Sequence, residues 1–161
     1  MRSMLVAALA LVVSAVSLDA GAQTITVNRV EISSDAARRM VEACIAYAER
    51  NKILVGAAVV GIDGVLIDFH LMQGATATNS ETAILKAKTA AHWRRPTREL
   101  EEWVKTGSNG APDWIGDFPR AGGVPIVIDG VVAGAIGIGG GGDSGDECAQ
   151  HAIDTVILKR P

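Results

Sequence analysis

The stretch VPIVIDGVVAGAIGIGGGG, residues 124–142, decides how the rest of the chain is read. Two apolar runs, 124–128 and 131–138, flank Asp129-Gly130. Both turn positions suit residues that tolerate positive φ, so the pair reads as a β-hairpin. Pro125 places the first arm near a sheet edge. Gly137, Gly139 and Gly142 also match the G-x-G-x-x-G spacing of a dinucleotide site. That reading fails because the strand before the glycines is the return arm of a hairpin, not the opening of a parallel βαβ unit. Moreover, Asp143, Asp146 and Glu147 stand where a pyrophosphate needs positive potential. A tight strand-to-helix corner accounts for the glycines instead, or a close approach of backbone to a ligand or neighbouring subunit.

A second hairpin precedes this one. Residues 54–60, LVGAAVV, form a continuous apolar strand, Asp63-Gly64 is the turn, and 65–71 is the return arm. Strict alternation puts Val65, Ile67, Phe69 and Leu71 on one face and Leu66, Asp68 and His70 on the other. His70 thus leaves the apolar face and lies beside a carboxylate. Upstream, Ile25, Val27, Val30 and Ile32 suggest a short edge strand over 24–32. Ser33-Ser34-Asp35 then starts a helix whose stripe is Ala37, Met40, Val41, Cys44, Ile45 and Ala48.

Between the hairpins, Thr78 and Glu81 fit a capping box for a helix that runs to about Trp93 and packs through Ala83, Ile84, Ala87 and Ala91. Pro96 breaks it, and Thr97 caps a further helix that ends at Gly107. Residues 107–123 read as a long loop carrying Trp114 and Phe118. A loop of this length reads as a binding loop or a subunit contact, and with Trp103 nearby its aromatics either bury an interface or cap the domain's own core. Ser144 and Glu147 open a last helix, to about Leu158, through a second capping box. The order helix, hairpin, two helices, hairpin, helix gives a single α+β domain with an antiparallel sheet flanked by helices.

The chain has 161 residues, is 48% hydrophobic and 20% charged, and so is a folded domain rather than a disordered segment. Aromatics are only 4%, so the core is built from Ala, Val, Ile and Leu. A net charge of −3 argues against nucleic acid as a partner. Residues 1–22 read as a secretory signal: Arg2, an apolar run over 5–18, then Ala20-Gly21-Ala22. The domain then occupies 23–161, periplasmic or secreted, with no stable membrane span because the run is short. Export permits Cys44 and Cys148 to pair. Two buried free thiols on helix core faces fit the pattern equally well.

No G-x-S-x-G or H-E-x-x-H is present, and His70, His92 and His151 show no metal-ligand spacing. His92 shares a helix edge with Lys88, one turn earlier. His151 lies opposite its helix's apolar stripe, towards solvent or an interface. Glu99, Glu101 and Glu102 read as a solvated face. The residues alone give no catalytic constellation.

Taken in order, the run from Gly61 to Gly64 with FHLMQGA (69–75), KAKTAAHWRRPT (86–97), GGVPIVIDGVVAGAIGIGG (122–140) and Asp146 to Ala149 resembles the GlcG/HbpS-like haem-degrading-domain family. That family includes the C-terminal domain of PduO proteins. The resemblance spans about residues 33–158. It implies a profilin-like α+β fold, a homo-oligomer and haem binding in some members, with secreted members linked to haem or redox sensing. The chain departs from the family's R-M-D-G-A at Leu71–Ala75 and from its G-x-S-G-G at Gly137–Gly141. On this resemblance the expected ligand is haem, with His70 or His92 as iron donor and Asp68 supporting His70. Thr97 is a weaker hydroxyl donor, and Lys88, Arg94 and Arg95 are the cations for the propionates. The competing expectation is an exported enzyme or accessory protein acting on a small oxidised metabolite without haem. Its pocket would be lined by the Gly-rich corner and the helix over 86–90.

Overall fold

The computed structural model describes residues 29–157; residues 1–22, Ile25, Val27 and Leu158 lie outside the described residues. The elements are α1 (Ser34–Asn51), β1 (Val55–Gly61), β2 (Leu66–Leu71), α2 (Ala77–Trp93), α3 (Thr97–Thr106), α4 (Ala111–Trp114), β3 (Gly123–Ile128), β4 (Val131–Gly140) and α5 (Ser144–Ile157). The strands form one antiparallel sheet in the order β2-β1-β4-β3. This is the antiparallel α+β arrangement that the two hairpins require, and it agrees with the profilin-like fold that the resemblance implies.

The two hairpins meet through β1 and β4, in register from Val55 opposite Gly140 to Gly61 opposite Gly134. Central placement explains the unbroken apolar run of β1, because both its faces are covered. On one face Val55, Ala57, Val59, Ile136 and Ile138 pack with α1 and α5. On the other, Ala58, Val60 and Ala135 pack with Ala83, Ala87, Ala90 and Ala91 of α2. Asp129 and Gly130 both have positive φ, 50° and 79°, the backbone of a two-residue turn that follows the sheet's twist. Pro125 sits on the edge strand β3, where its missing N–H is tolerated.

The glycine-rich end of β4 is the seat of α2. A Cβ on Gly139 would stand 1.9 Å from the Asn79 carbonyl oxygen, and one on Gly137 would stand 2.2 Å from that of Ala83. Helix backbone therefore lies directly on strand backbone. The glycines serve a close helix–sheet approach rather than a phosphate.

Several local expectations are corrected. Residues 29–33 are irregular, not a strand, although Ile32 is still buried in the core. The turn before β2 is longer than Asp63-Gly64: Gly61 N–H bonds to Val65 O at 2.9 Å, and Asp63 Oδ1 accepts from Val65 N–H at 3.1 Å. Register shifts between Val59 and Val60, so Ile67 is the extra residue of a β-bulge. The bulge ends the alternation. Ile67 packs with the α1 core and Phe69 with the α2 core, and Asp68 and His70 share the α1 side.

The cap of α2 is Thr76, not Thr78. Thr76 Oγ1 accepts the Asn79 N–H and donates to Asn79 Oδ1 at 2.9 Å, while Asn79 Nδ2 reaches Leu54 O at 3.2 Å. That last bond ties the cap to the entry of β1. Pro96 occupies the cap of α3, and Thr97 is its first, buried helical residue. Glu147 accepts from Tyr47 OH at 2.8 Å, which joins α5 to α1 instead of closing a capping box.

Cys44 and Cys148 are joined by a disulfide, with Cα atoms 5.1 Å apart. Both lie fully buried between α1 and α5. The apolar stripes of the two helices face each other there, so the pairing follows from the packing.

Candidate functional site: a carboxylate-held histidine beside a lysine

His92 lies in the last turn of α2. Its Nδ1 stands 3.0 Å from Oδ2 of Asp117, which also accepts the Trp93 indole N–H at 2.5 Å. Asp117 is carried by the segment after α4, and its backbone N–H is fixed to Pro112 O at 3.0 Å. The neighbouring Phe118 N–H bonds to Thr89 Oγ1 at 2.9 Å, which docks this segment on α2. The Asp117 carboxylate is 14% exposed, whereas the His92 ring is 60% exposed. A carboxylate against Nδ1 favours the tautomer that carries its proton there and leaves the Nε2 lone pair for a ligand. A cavity of about 300 Å³ is lined by Ile62, Asp63, Gly64, Lys88, His92 and Asp117. Lys88 lies along the turn, its Cγ nearest to Gly64.

The other sequence-derived candidates are not gathered here. His70 pairs across the sheet with Ala57 and lines a separate groove of about 370 Å³ with Arg38, Glu42, Glu49 and Asp68. Among the described residues Asp68 gives His70 no hydrogen bond. Arg94 is the left-handed cap of α2, with φ of 54°. Arg95 pairs with Glu99 at 3.1 Å and lies over the Trp103 ring at 5.4 Å. Trp103 packs edge-on against Trp93, so this ring serves the chain's own packing. His151 lies beside Arg50 and Tyr47 at the α1–α5 surface.

Thr97 is fully buried, and its hydroxyl is committed. Oγ1 donates to Arg120 O at 2.7 Å and accepts from Gly123 N–H at 2.8 Å. Its role is to hold the turn into β3. A Thr97→Val variant leaves a buried N–H and C=O without their partner, and about 1–3 kcal/mol of stability should be lost, read by urea unfolding.

Two residues escaped the sequence reading. Asp117 sits in the segment whose length marked it as functional, but its pairing with α2 is a tertiary fact. Lys86, two residues before Lys88, faces inward, and its Nζ donates to Ile138 O at 2.9 Å. Burial pulls its ammonium below the ordinary lysine value, against the opposing pull of Asp146 and Glu101. Asp146 accepts from Gly122 N–H and from Arg98, and Glu101 accepts from Ala121 N–H and Lys105. These groups together fix the 119–123 turn.

Comparison with known proteins agrees with this architecture. The family model described as haem-degrading protein HbpS-like matches residues 32–154. Protein GlcG of Escherichia coli is 31% identical over 111 residues, covering 69% of this chain and 83% of GlcG. The crystal structure of a PduOC:haem complex superposes with a TM-score of 0.74 at 26% identity, covering 80% of this chain and 96% of that one. The crystal structure of HbpS gives a TM-score of 0.74 at 28% identity, covering 83% of this chain and 94% of that one. With the fold, the order of the motifs and the extent of the match in agreement, the chain belongs to the family of HbpS-like haem-degrading proteins.

Proposed function

We propose that this chain is an exported, homo-oligomeric haem-binding protein in which His92 Nε2 is the iron ligand and Lys88 meets a propionate. The observation that carries the reading is the Asp117–His92 pair at the edge of an open cavity beside Lys88. The donor set fits haem: an imidazole nitrogen, Nε2, left to a ligand, a carboxylate behind the ring, and a cation in the same cavity. Bound haem supplies a redox-active iron. The chain's own part is to orient the imidazole through Asp117, to brace Asp117 through Trp93, and to place the Lys88 charge. Ile62 is the apolar side chain among the lining residues, so a single chain covers haem shallowly and binding is exchangeable.

Family membership supports haem as the ligand, as does the structural likeness to a protein crystallised with haem. The buried disulfide supports export, because such bonds persist in oxidising compartments. The small-metabolite reading placed its pocket at the glycine corner, where α2 backbone occupies the space.

Ferric haem titrated into the disulfide-bonded protein should give a saturable Soret shift. Asp117→Asn should weaken the affinity about 10- to 100-fold, the usual effect of removing a carboxylate behind a ligating histidine. An absent shift, or an Asp117→Asn affinity equal to wild type, would contradict the reading.

A further inference from the structure

The outward stripe of α2 carries more than the haem candidate. Glu81, Leu85, Lys88 and His92 follow one another at helical spacing, and all are exposed. Leu85 is 41% exposed, an apolar side chain in the middle of an otherwise polar stripe, while half-buried Ile84 and Phe69 pack against the buried side of the same helix. Among the described residues neither Glu81 nor Lys88 forms an ion pair. They cannot pair with each other within the helix, because seven residues span about 10.5 Å along the axis.

The stripe is nevertheless complementary to itself. When two such helices cross antiparallel about a two-fold axis at Leu85, Glu81 of each comes level with position 89 of the other, one residue or about 1.5 Å along the axis from Lys88 and within reach of its long side chain. The two leucines then meet at the centre. Closed two-fold contacts of this kind require one patch to complement its own copy.

We propose that this face of α2 is a homodimer interface, occupied by a second copy of this chain. Leu85 is its apolar centre, with a Glu81–Lys88 pair on either side. The inference rests on the oligomeric part of the proposed function and says where that contact lies. The geometry sets the second copy's Thr78 opposite His92, so each dimer edge borders a His92 cavity and supplies the wall that a single chain lacks. The three N–H donors of Lys88 suffice for both Glu81 of the second copy and a carboxylate in the cavity.

Charge reversal tests this without haem. The disulfide-bonded protein and its Glu81→Lys and Lys88→Glu variants are compared by sedimentation equilibrium, alone and mixed. Each variant alone should dimerise at least tenfold more weakly than wild type, because like charges then face each other twice. An equimolar mixture should recover wild-type association as a heterodimer. There the introduced lysine of one chain meets the introduced glutamate of the other, and the native Glu81–Lys88 pair remains at the opposite end. Near-identical circular dichroism of the variants checks that the fold is kept. Wild type that stays monomeric overturns the oligomeric reading and this interface together. Wild type that associates while both variants associate equally well overturns the α2 interface alone, as does a mixture that fails to recover.

Discussion

Gly139→Val is expected to abolish cooperative folding or to cost more than about 3 kcal/mol, the upper end of ordinary overpacking. Its Cβ alone would overlap the Asn79 carbonyl oxygen at 1.9 Å and crowd Thr82 Oγ1 at 2.6 Å. Neither partner can retreat. Asn79 is held by its cap bonds to Thr76 and Leu54, and β4 is bonded to a strand on each side. Total stability of a domain this size is on the order of 5–15 kcal/mol, so the loss is a large share of it. Gly142→Ala is the control. Among the described residues nothing lies within 4 Å of a Cβ placed there, so the cost is that of a left-handed φ, about 1–2 kcal/mol. Urea unfolding followed by circular dichroism compares the two, and equal midpoints would refute the account of the glycine seat.

Removal of the disulfide is expected to have an effect of similar size. Cys44 and Cys148 close a loop with a sequence separation of 104, for which the chain-entropy model gives about 4–5 kcal/mol. The bond also holds α5 against α1 at the point where Tyr47 meets Glu147. The paired Cys44→Ala/Cys148→Ala variant should unfold at a much lower urea concentration. An unchanged midpoint would mean that α1–α5 packing alone sets the reference stability. Both sulfurs are buried, so reductant should act on the native protein only as fast as it opens.

The parts of the fold that were legible in sequence are those fixed locally. Asp129-Gly130 between apolar runs dictates a turn, and Pro125 dictates an edge. The misses are places where tertiary contact outweighs local pattern. One inserted residue at Ile67 moves Phe69 to the opposite layer from Ile67, so His70 and Asp68 face α1. Thr97 resembles a cap because it follows a proline, yet its hydroxyl is drawn inward by Arg120 and Gly123. Thr78 and Glu81 have capping-box spacing, but Thr76 takes the cap, and its partner Asn79 bonds to Leu54 O at the entry of β1. Helix stripes show that both thiols are buried, not that they face each other, so the pairing is fixed only by the packing of α1 on α5.

The candidate site was half legible for the same reason. His92 and Lys88 share a helix edge, which spacing reveals. The residue that distinguishes His92 from His70 is Asp117, 25 positions away, and only the docking of its loop on α2 brings it to Nδ1. Sequence supplied Asp68 as the carboxylate for His70, but successive same-face residues of a strand are about 6.6 Å apart, too far for that bond unless the side chains turn towards each other.

The most direct test is a comparison of ferric haem binding by His92→Ala and His70→Ala, each titrated beside wild type and read at the Soret band. Both rings are solvent-exposed, so neither change should disturb the fold. The account predicts that His70→Ala binds as wild type does, while His92→Ala loses the saturable shift or binds at least tenfold more weakly. The reverse result, with binding lost in His70→Ala and kept in His92→Ala, would contradict it.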